Sequence, residues 1–375
     1  MSVFTTAFGS YELQRLPAVH NESLRAWDAA DEMLLQHMES AEEDLSGASI
    51  LLINDQFGAL SVSLHKHAPH SWSDSWLAHQ ATRNNLQLNQ LKDTVGYLPS
   101  TEQPQGIYDW VLLKVPKSLA LLEHQLICLK PYISTNTRIV AAAMTKHIHT
   151  STLAVFEKIL GTTTTSLARK KARLIFTSYE KTAPQSSPYP TSFYEKDWDI
   201  HLTNHANVFA REKLDIGARF MLQQLKQLPS ARHILDLGCG NGVLGIIAQR
   251  LQPTAHVTFV DESYMAIASA KESYQREFAA QQADFIVGNA LTNIQAQDID
   301  LILCNPPFHQ QHSMGDHIAW EMFKQSRKHL IPGGQIWLVG NRHLNYHLKL
   351  KRLFGQYRQI AANRKFVVLA ASKSG

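Results

Sequence analysis

The chain has 375 residues, room for about two and a half domains of typical size, and its 44% hydrophobic and 18% charged residues are too apolar a mixture for a disordered chain. The net charge of +4 divides into −1 up to Lys181 (16 Lys+Arg against 17 Asp+Glu) and +5 beyond it (20 against 15), a mild basic excess that suits an anionic partner without selecting a function. No basic-then-apolar leader and no eighteen-residue apolar run occurs, and Cys128, Cys239 and Cys304 are dispersed, so a signal peptide, a membrane span, a disulfide framework and a thiolate zinc site are not expected and the expected location is the cytosol.

In chain order, Trp27, Ala30, Leu34 and Met38 recur at three- and four-residue spacing and predict a helix within 24–38. Strands and helices then alternate. Three prolines and two serines within 183–191 oppose both helix and central strand and predict a linker between a domain over 1–182 and another over 192–375. In the second domain, apolar runs at 233–237, 256–260, 284–287, 300–304 and 335–339 are separated by helical stretches. That alternation predicts a parallel sheet flanked by helices, an α/β fold.

The halves also share a frame. Residues 50–60 can be laid on 234–244 with Gly58 on Gly242 and Leu60 on Leu244; Asp74 then falls on Asp261, and 109–117 on 300–308. This suggests a duplication in which the first copy has lost its chemistry, since Leu52 replaces Asp236, Asn54 and Gln56 replace Gly238 and Gly240, and Lys114-Val115-Pro116-Lys117 replaces Asn305-Pro306-Pro307-Phe308.

The strongest local signal is Asp236-Leu-Gly238-Cys-Gly240-Asn-Gly242, an apolar strand running into a glycine-rich turn and an apolar helix. Such a turn lets backbone approach a ligand closely and leaves helix N–H groups free. Gly240, Gly242 and Gly245 also satisfy G-x-G-x-x-G, so a nicotinamide-binding fold competes here. Asp261, some twenty residues on at a strand end, is placed to accept ribose hydroxyls under either reading.

Asn305-Pro306-Pro307-Phe308 follows the 300–304 strand and gives the competing fold no role for it. With Asp236–Gly242 it resembles the motifs of Rossmann-like S-adenosylmethionine-dependent methyltransferases that modify a planar amino group. Further matches at Asn204-His-Ala-Asn-Val-Phe209, Leu214-Asp215-Ile-Gly217 and 305–312 resemble the bacterial ribosomal RNA guanine-N2 methyltransferases. The likeness spans essentially the whole chain, including 145–152 and 161–174, and is greatest to the group acting on large-subunit 23S rRNA; relatives acting on 16S rRNA are the main competitors. Methyltransferases of DNA adenine or protein glutamine share the Asn-Pro-Pro core.

The resemblance implies two tandem Rossmann-like class I methyltransferase domains, the N-terminal one degenerate and serving RNA recognition. It implies S-adenosylmethionine held by Asp236, Gly238, Gly240, Gly242 and Asp261, with Asn289 at the adenine and Asp215 near the methionine end, and catalysis by Asn305, Pro306, Pro307 and Phe308. Arg169, Lys170, Lys171 and Arg173 form a basic run that either binds RNA phosphates or is a solvated helix face. His309, His312 and His317 have no acidic or thiolate companion at set spacing, so no metal is expected, nor DNA nor membrane as partner.

Overall fold

The computed structural model describes residues 2–18, 24–41, 45–181, 185–279, 282–292, 294, 298–307 and 312–375, without the side chains of 312–316. The chain forms two compact units, Met1–Tyr189 and Pro190–Gly375. No helix among the described residues is long and apolar enough to cross a membrane.

The first unit opens with the hairpin β1 (Ser2–Thr6) and β2 (Gly9–Leu13), then α1 (Ala29–Ser40), β3 (Ile50–Ile53), α2 (Ala59–Ser63), β4 (His70–Ser73) and α3 (Trp76–Leu88). There follow β5 (Gly96–Pro99), β6 (Trp110–Lys114), α4 (Leu119–Leu129), β7 (Arg138–Met144), α5 (Thr150–Ile159), β8 (Thr163–Thr165) and β9 (Ala172–Thr177). The predicted first helix starts later than its apolar spacing suggests, because Asp28 caps it: its side chain accepts from Ala30 N–H at 2.8 Å, and Asp31 caps back to Asp28 N–H at 2.9 Å. Before the chain leaves this unit, Ser187 Oγ and Tyr189 OH bond His124 and Glu123 on α4.

The second unit repeats the order: hairpin β10 (Thr191–Glu195) and β11 (Ile200–Asn204), α6 (Ile216–Leu222), β12 (His233–Leu237), α7 (Val243–Leu251), β13 (His256–Asp261), α8 (Tyr264–Glu277) and β14 (Asp284–Val287). Then come β15 (Ile299–Cys304), α9 (His312–His329), β16 (Leu330–Asn341), α10 (Tyr346–Phe354), β17 (Arg358–Ala362) and β18 (Phe366–Ser372).

The two seven-stranded sheets have one topology, β5-β4-β3-β6-β7-β9-β8 and β14-β13-β12-β15-β16-β18-β17, parallel except for the penultimate strand of each order. Each is a Rossmann-like α/β unit with its order reversing beside the first strand, β3 or β12. Ligands of open α/β sheets bind at the carboxyl ends of strands at such a reversal. Alternation along the strands divides the core: Leu301, Leu303, Trp337 and Val339 pack toward α6, α7 and α8, whereas Ile302, Cys304, Ile336 and Leu338 pack toward α9 and α10. Burying each such side chain is worth about 1.5–3 kcal/mol, so register is strongly specified.

Register confirms the shared frame at most positions and corrects it at one. Leu52 and Asp236 pair equivalently, as do Leu113 and Cys304, which puts Lys114 at the end of β6 where Asn305 follows β15, and Gly58 and Gly242 both start a helix with left-handed backbone. The residue matching Asp261 is Ser73, not Asp74: Ser73 pairs with Pro99 as Asp261 pairs with Val287, and Ser75 and Ser263 cap the following helices identically. A nearby carboxylate matched residue type rather than pairing.

Candidate active site

The glycine turn joins β12 to α7 at the sheet's reversal point. Gly238 and Cys239 N–H groups donate to Val260 O at 2.8 and 3.0 Å, which folds the turn over β13. Gly240 N–H instead donates to Asp261 Oδ2 at 3.0 Å, while Asp261 Oδ1 accepts from Ser263 N–H at 3.0 Å. The glycines differ in purpose. A Cβ on Gly245 would lie 2.4 Å from Phe259, so this residue lets α7 pack on the sheet; a Cβ on Gly240 would meet nothing within 4 Å. Open space at Gly240, beside the Asp261 carboxylate, fits the sugar and amino-acid parts of a bound nucleoside.

Asp236 is enclosed rather than displayed. Its Oδ2 accepts from Gly245 N–H at 2.8 Å, and burial pushes its pKa up to about 8, with the Gly245 bond opposing the shift and Asp261 adding to it. Asn241 Nδ2 donates to Asn204 Oδ1 at 3.0 Å and ties the turn to the end of β11, a contact that sequence reasoning missed. Asn289 follows β14, half-buried, its carbonyl accepting from Thr292. Burial raises the Cys239 and Cys304 thiols well above their usual range, leaving both as packed, un-ionised groups.

Asn305 leaves β15 on the face of Leu301 and Leu303, the face covered by α6. Its Nδ2 donates to Asp215 Oδ2 at 3.3 Å. Asp215 is itself fixed as N-cap of α6, accepting from Ala218 N–H at 2.9 Å. This bond settles which end of the amide faces which way. Asn305 Oδ1 is left buried with no hydrogen-bond partner among the described residues, an arrangement that costs about 1–3 kcal/mol unless a ligand fills it. Pro306 is buried and Pro307 exposed. Phe308 and His309 lie outside the described residues, as does the side chain of His312; among the described residues no three His, Cys, Asp or Glu gather as a metal site.

Thus Asp236, Gly238, Gly240, Gly242, Asp261, Asn289, Asn305 and Pro306 all lie at or just beyond the carboxyl ends of strands of the second sheet, and Asp215 joins them through Asn305. The basic run is elsewhere and is not helical. Arg169–Lys171 turns the chain into β9, with Lys170 and Lys171 at positive φ, and Arg173 lies in β9 itself, paired with Ala143; Arg169 bonds Gln36 on α1, and Lys170 Nζ lies 2.6 Å from Glu32 Oε2. Lys171 and Arg173 have no side-chain partner among the described residues.

At the corresponding edge of the first unit the same positions hold a closed polar cluster. Lys114, where Asn305 stands in the second unit, bonds Asp28 at 2.8 Å and Asp31 at 2.7 Å, and Asp28 caps α1 as Asp215 caps α6. Burial opposes the Lys114 charge, but Asp31 and Asp28 outweigh it and raise its pKa; Asp31 is itself pushed by burial up to about 6. Asn54, at the Gly238 position, exchanges hydrogen bonds with Gln125.

The chain is similar to known proteins over its whole length. Residues 1–181 match the RLMG N-terminal domain model and residues 199–370 the methyltransferase small domain model. It is 50% identical to the ribosomal RNA large subunit methyltransferase G of Ectopseudomonas mendocina and 47% identical to that of Stutzerimonas stutzeri, each alignment covering all of both chains. A solved structure, the T. thermophilus 16S rRNA N2 methyltransferase RsmC in complex with AdoMet and guanosine, shares the fold with a TM-score of 0.78 at 19% identity, over 99% of this chain and 97% of that one. With full-length identity at this level, the chain belongs to the ribosomal RNA large subunit methyltransferase G family and is an S-adenosylmethionine-dependent methyltransferase.

Proposed function

We propose that the chain transfers a methyl group from S-adenosylmethionine to the exocyclic N2 amine of a guanine in 23S rRNA. The observation that carries this reading is Asn305 Oδ1, a buried acceptor without a partner among the described residues, whose amide is oriented by Asp215. An amine on a base is a poor nucleophile because its lone pair is delocalised into the ring. Acceptors that grip its hydrogens draw that pair out of conjugation; Asn305 Oδ1 is one and the Pro306 carbonyl the other. Pro307 stiffens the turn, and Phe308 supplies a stacking surface. Positive charge grows on the nitrogen as its new bond forms, so both acceptors hold the transition state more tightly than the ground state. The methylated amine is acidic enough to lose its proton to water, so no metal or strong base is required.

S-adenosylmethionine, when bound, supplies the electrophilic methyl group. Gly238, Gly240 and Gly242 form the backbone cradle, Asp261 accepts ribose hydroxyls, Asn289 accepts from the adenine amine, and Asp236 holds the turn. The first unit serves RNA, with Lys171 and Arg173 free to meet phosphates; a target guanine must be unpaired or flipped out to reach the site. Such a substrate places the protein in the cytoplasm.

Asn305→Ala should lower methylation of rRNA from cells lacking the gene by about 100-fold or more while calorimetric cofactor binding persists. Nucleoside mass spectrometry reads the product. Near-normal turnover, or methyl on an atom other than guanine N2, would overturn the assignment.

A further inference from the structure

A second orphaned amide lies beside the first. Asn341 ends β16, is 8% exposed, and its Oδ1 has no hydrogen-bond partner among the described residues. Along β16, Trp337 and Val339 face α6 and Gly340 faces Tyr346 on the opposite side, so Asn341 returns to the α6 face that Asn305 occupies. The strands are neighbours, Cys304 pairing with Leu338. Asn341 therefore stands about two residue rises, roughly 7 Å, further along than Asn305, a span that fits a base between the two amides. The first unit supplies an internal control: Met144 occupies the position of Asn341, so the unit that replaces Asn305 with Lys114 has lost this acceptor too.

We propose that Asn341 is a specificity-determining residue whose Oδ1 accepts the N1–H of the target guanine. This rests on the guanine-N2 reading above and adds to it the choice of base. In guanine the amine is flanked by an N1–H donor; in adenine and cytosine the ring nitrogen next to the amine carries a lone pair, which would face the Asn341 oxygen unpaired.

The test uses the full-length chain and 23S rRNA transcripts ligated with either guanosine or 2-aminopurine riboside at the modified position. The analogue keeps the 2-amine and lacks N1–H. Native enzyme should show a kcat/KM about tenfold or more lower on the analogue. Asn341→Leu and Asn341→Ala should lose about as much on guanosine and discriminate no longer, with cofactor affinity unchanged by calorimetry; Asn341→Asp, which keeps an acceptor, should retain discrimination. Equal losses on both transcripts, native enzyme indifferent to the analogue, or weakened cofactor binding with discrimination intact would each overturn the proposal. Failure of the underlying reading looks different, since native enzyme would then leave the guanosine transcript unmodified at N2.

Discussion

Asp236, next to last in β12, and Asp261, last in β13, sit on adjacent strands, yet their surroundings assign them different work. Asp236 is sealed under α7 with its pKa raised to about 8, so the folded chain keeps a proton that the unfolded chain releases above its ordinary 3.8. Stability from this site is therefore greatest below about pH 4 and is lost as pH rises toward 8, where it levels off. Asp236→Asn keeps an acceptor for Gly245 N–H and removes the titration. Its melting temperature should exceed the native value at pH 8, by a few kcal/mol at most in stability terms, with the gain vanishing near pH 4. A difference independent of pH would show that Asp236 does not titrate as its burial demands. Asp261 is less enclosed, and its carboxylate borders the open space at Gly240. Asp261→Ala should weaken cofactor affinity about 10-fold or more, the loss of charge-assisted bonds to two hydroxyls, and calorimetric titration at constant pH reads this directly.

Between elements, the duplicated frame shows how one unit keeps a pocket and the other closes it. In the second unit a strand-end amide meets the cap of α6 and leaves an oxygen over; in the first, a lysine meets the cap of α1 and neutralises two carboxylates. Asp55 takes over from Asp236, accepting from Ser61 N–H at 2.7 Å just as Asp236 accepts from Gly245 N–H, so even the strand–helix clasp is rebuilt from another position. Lys114→Met should then lower stability by about 2–3 kcal/mol, less than the ~3–5 kcal/mol for stranding a buried charge outright, because Asp31 can take up a proton. The loss should deepen as pH rises, since without the ammonium the folded-state pKa of Asp31 climbs further, and adding Asp31→Asn should restore part of it. Thermal melts at pH 5 and 8 check both signs. The five mutually parallel strands of the second unit, β12 to β16, were legible because each contains an apolar run bounded by turns, while the antiparallel β17 and β18 and the hairpin β10–β11 were not; the glycine turn and Asn305 were legible because few other residues can do their work. Three further features were not. Ser73 lost its place to Asp74 because a carboxylate stands out where a pairing register does not. The turn at Lys170–Lys171 was not read as a turn, a helix face being one of the two readings open there, because two lysines at positive φ carry no glycine or asparagine to mark them. Asn341 ends a long strand without any motif, and what singles it out is that its Oδ1 lacks a partner among the described residues.

At the scale of the whole chain, chemistry and charge are distributed unequally. The second half matches the methyltransferase small domain and carries a net +5, while the first half is near neutral and fills the corresponding edge with an internal ion cluster. A unit of that kind contributes to a polyanionic substrate only through local clusters, and the β8–β9 turn is one, with Leu167 beside it 89% exposed. Within the turn the cations are not equivalent. Lys170 is already paired with Glu32, so a phosphate must compete with a carboxylate for it, whereas Lys171 and Arg173 can release counterions in full. Changing Lys171 and Arg173 together to Gln should weaken RNA binding and flatten the plot of log affinity against log salt by about 1.5, the slope two phosphate contacts contribute. Lys170→Gln alone should flatten it less than half as much. Turnover at saturating RNA should stay near native in every case, because all of these side chains belong to the first unit, outside the 199–370 match to the methyltransferase small domain. A slope unchanged in the double variant would move RNA recognition off this turn and onto the basic second half.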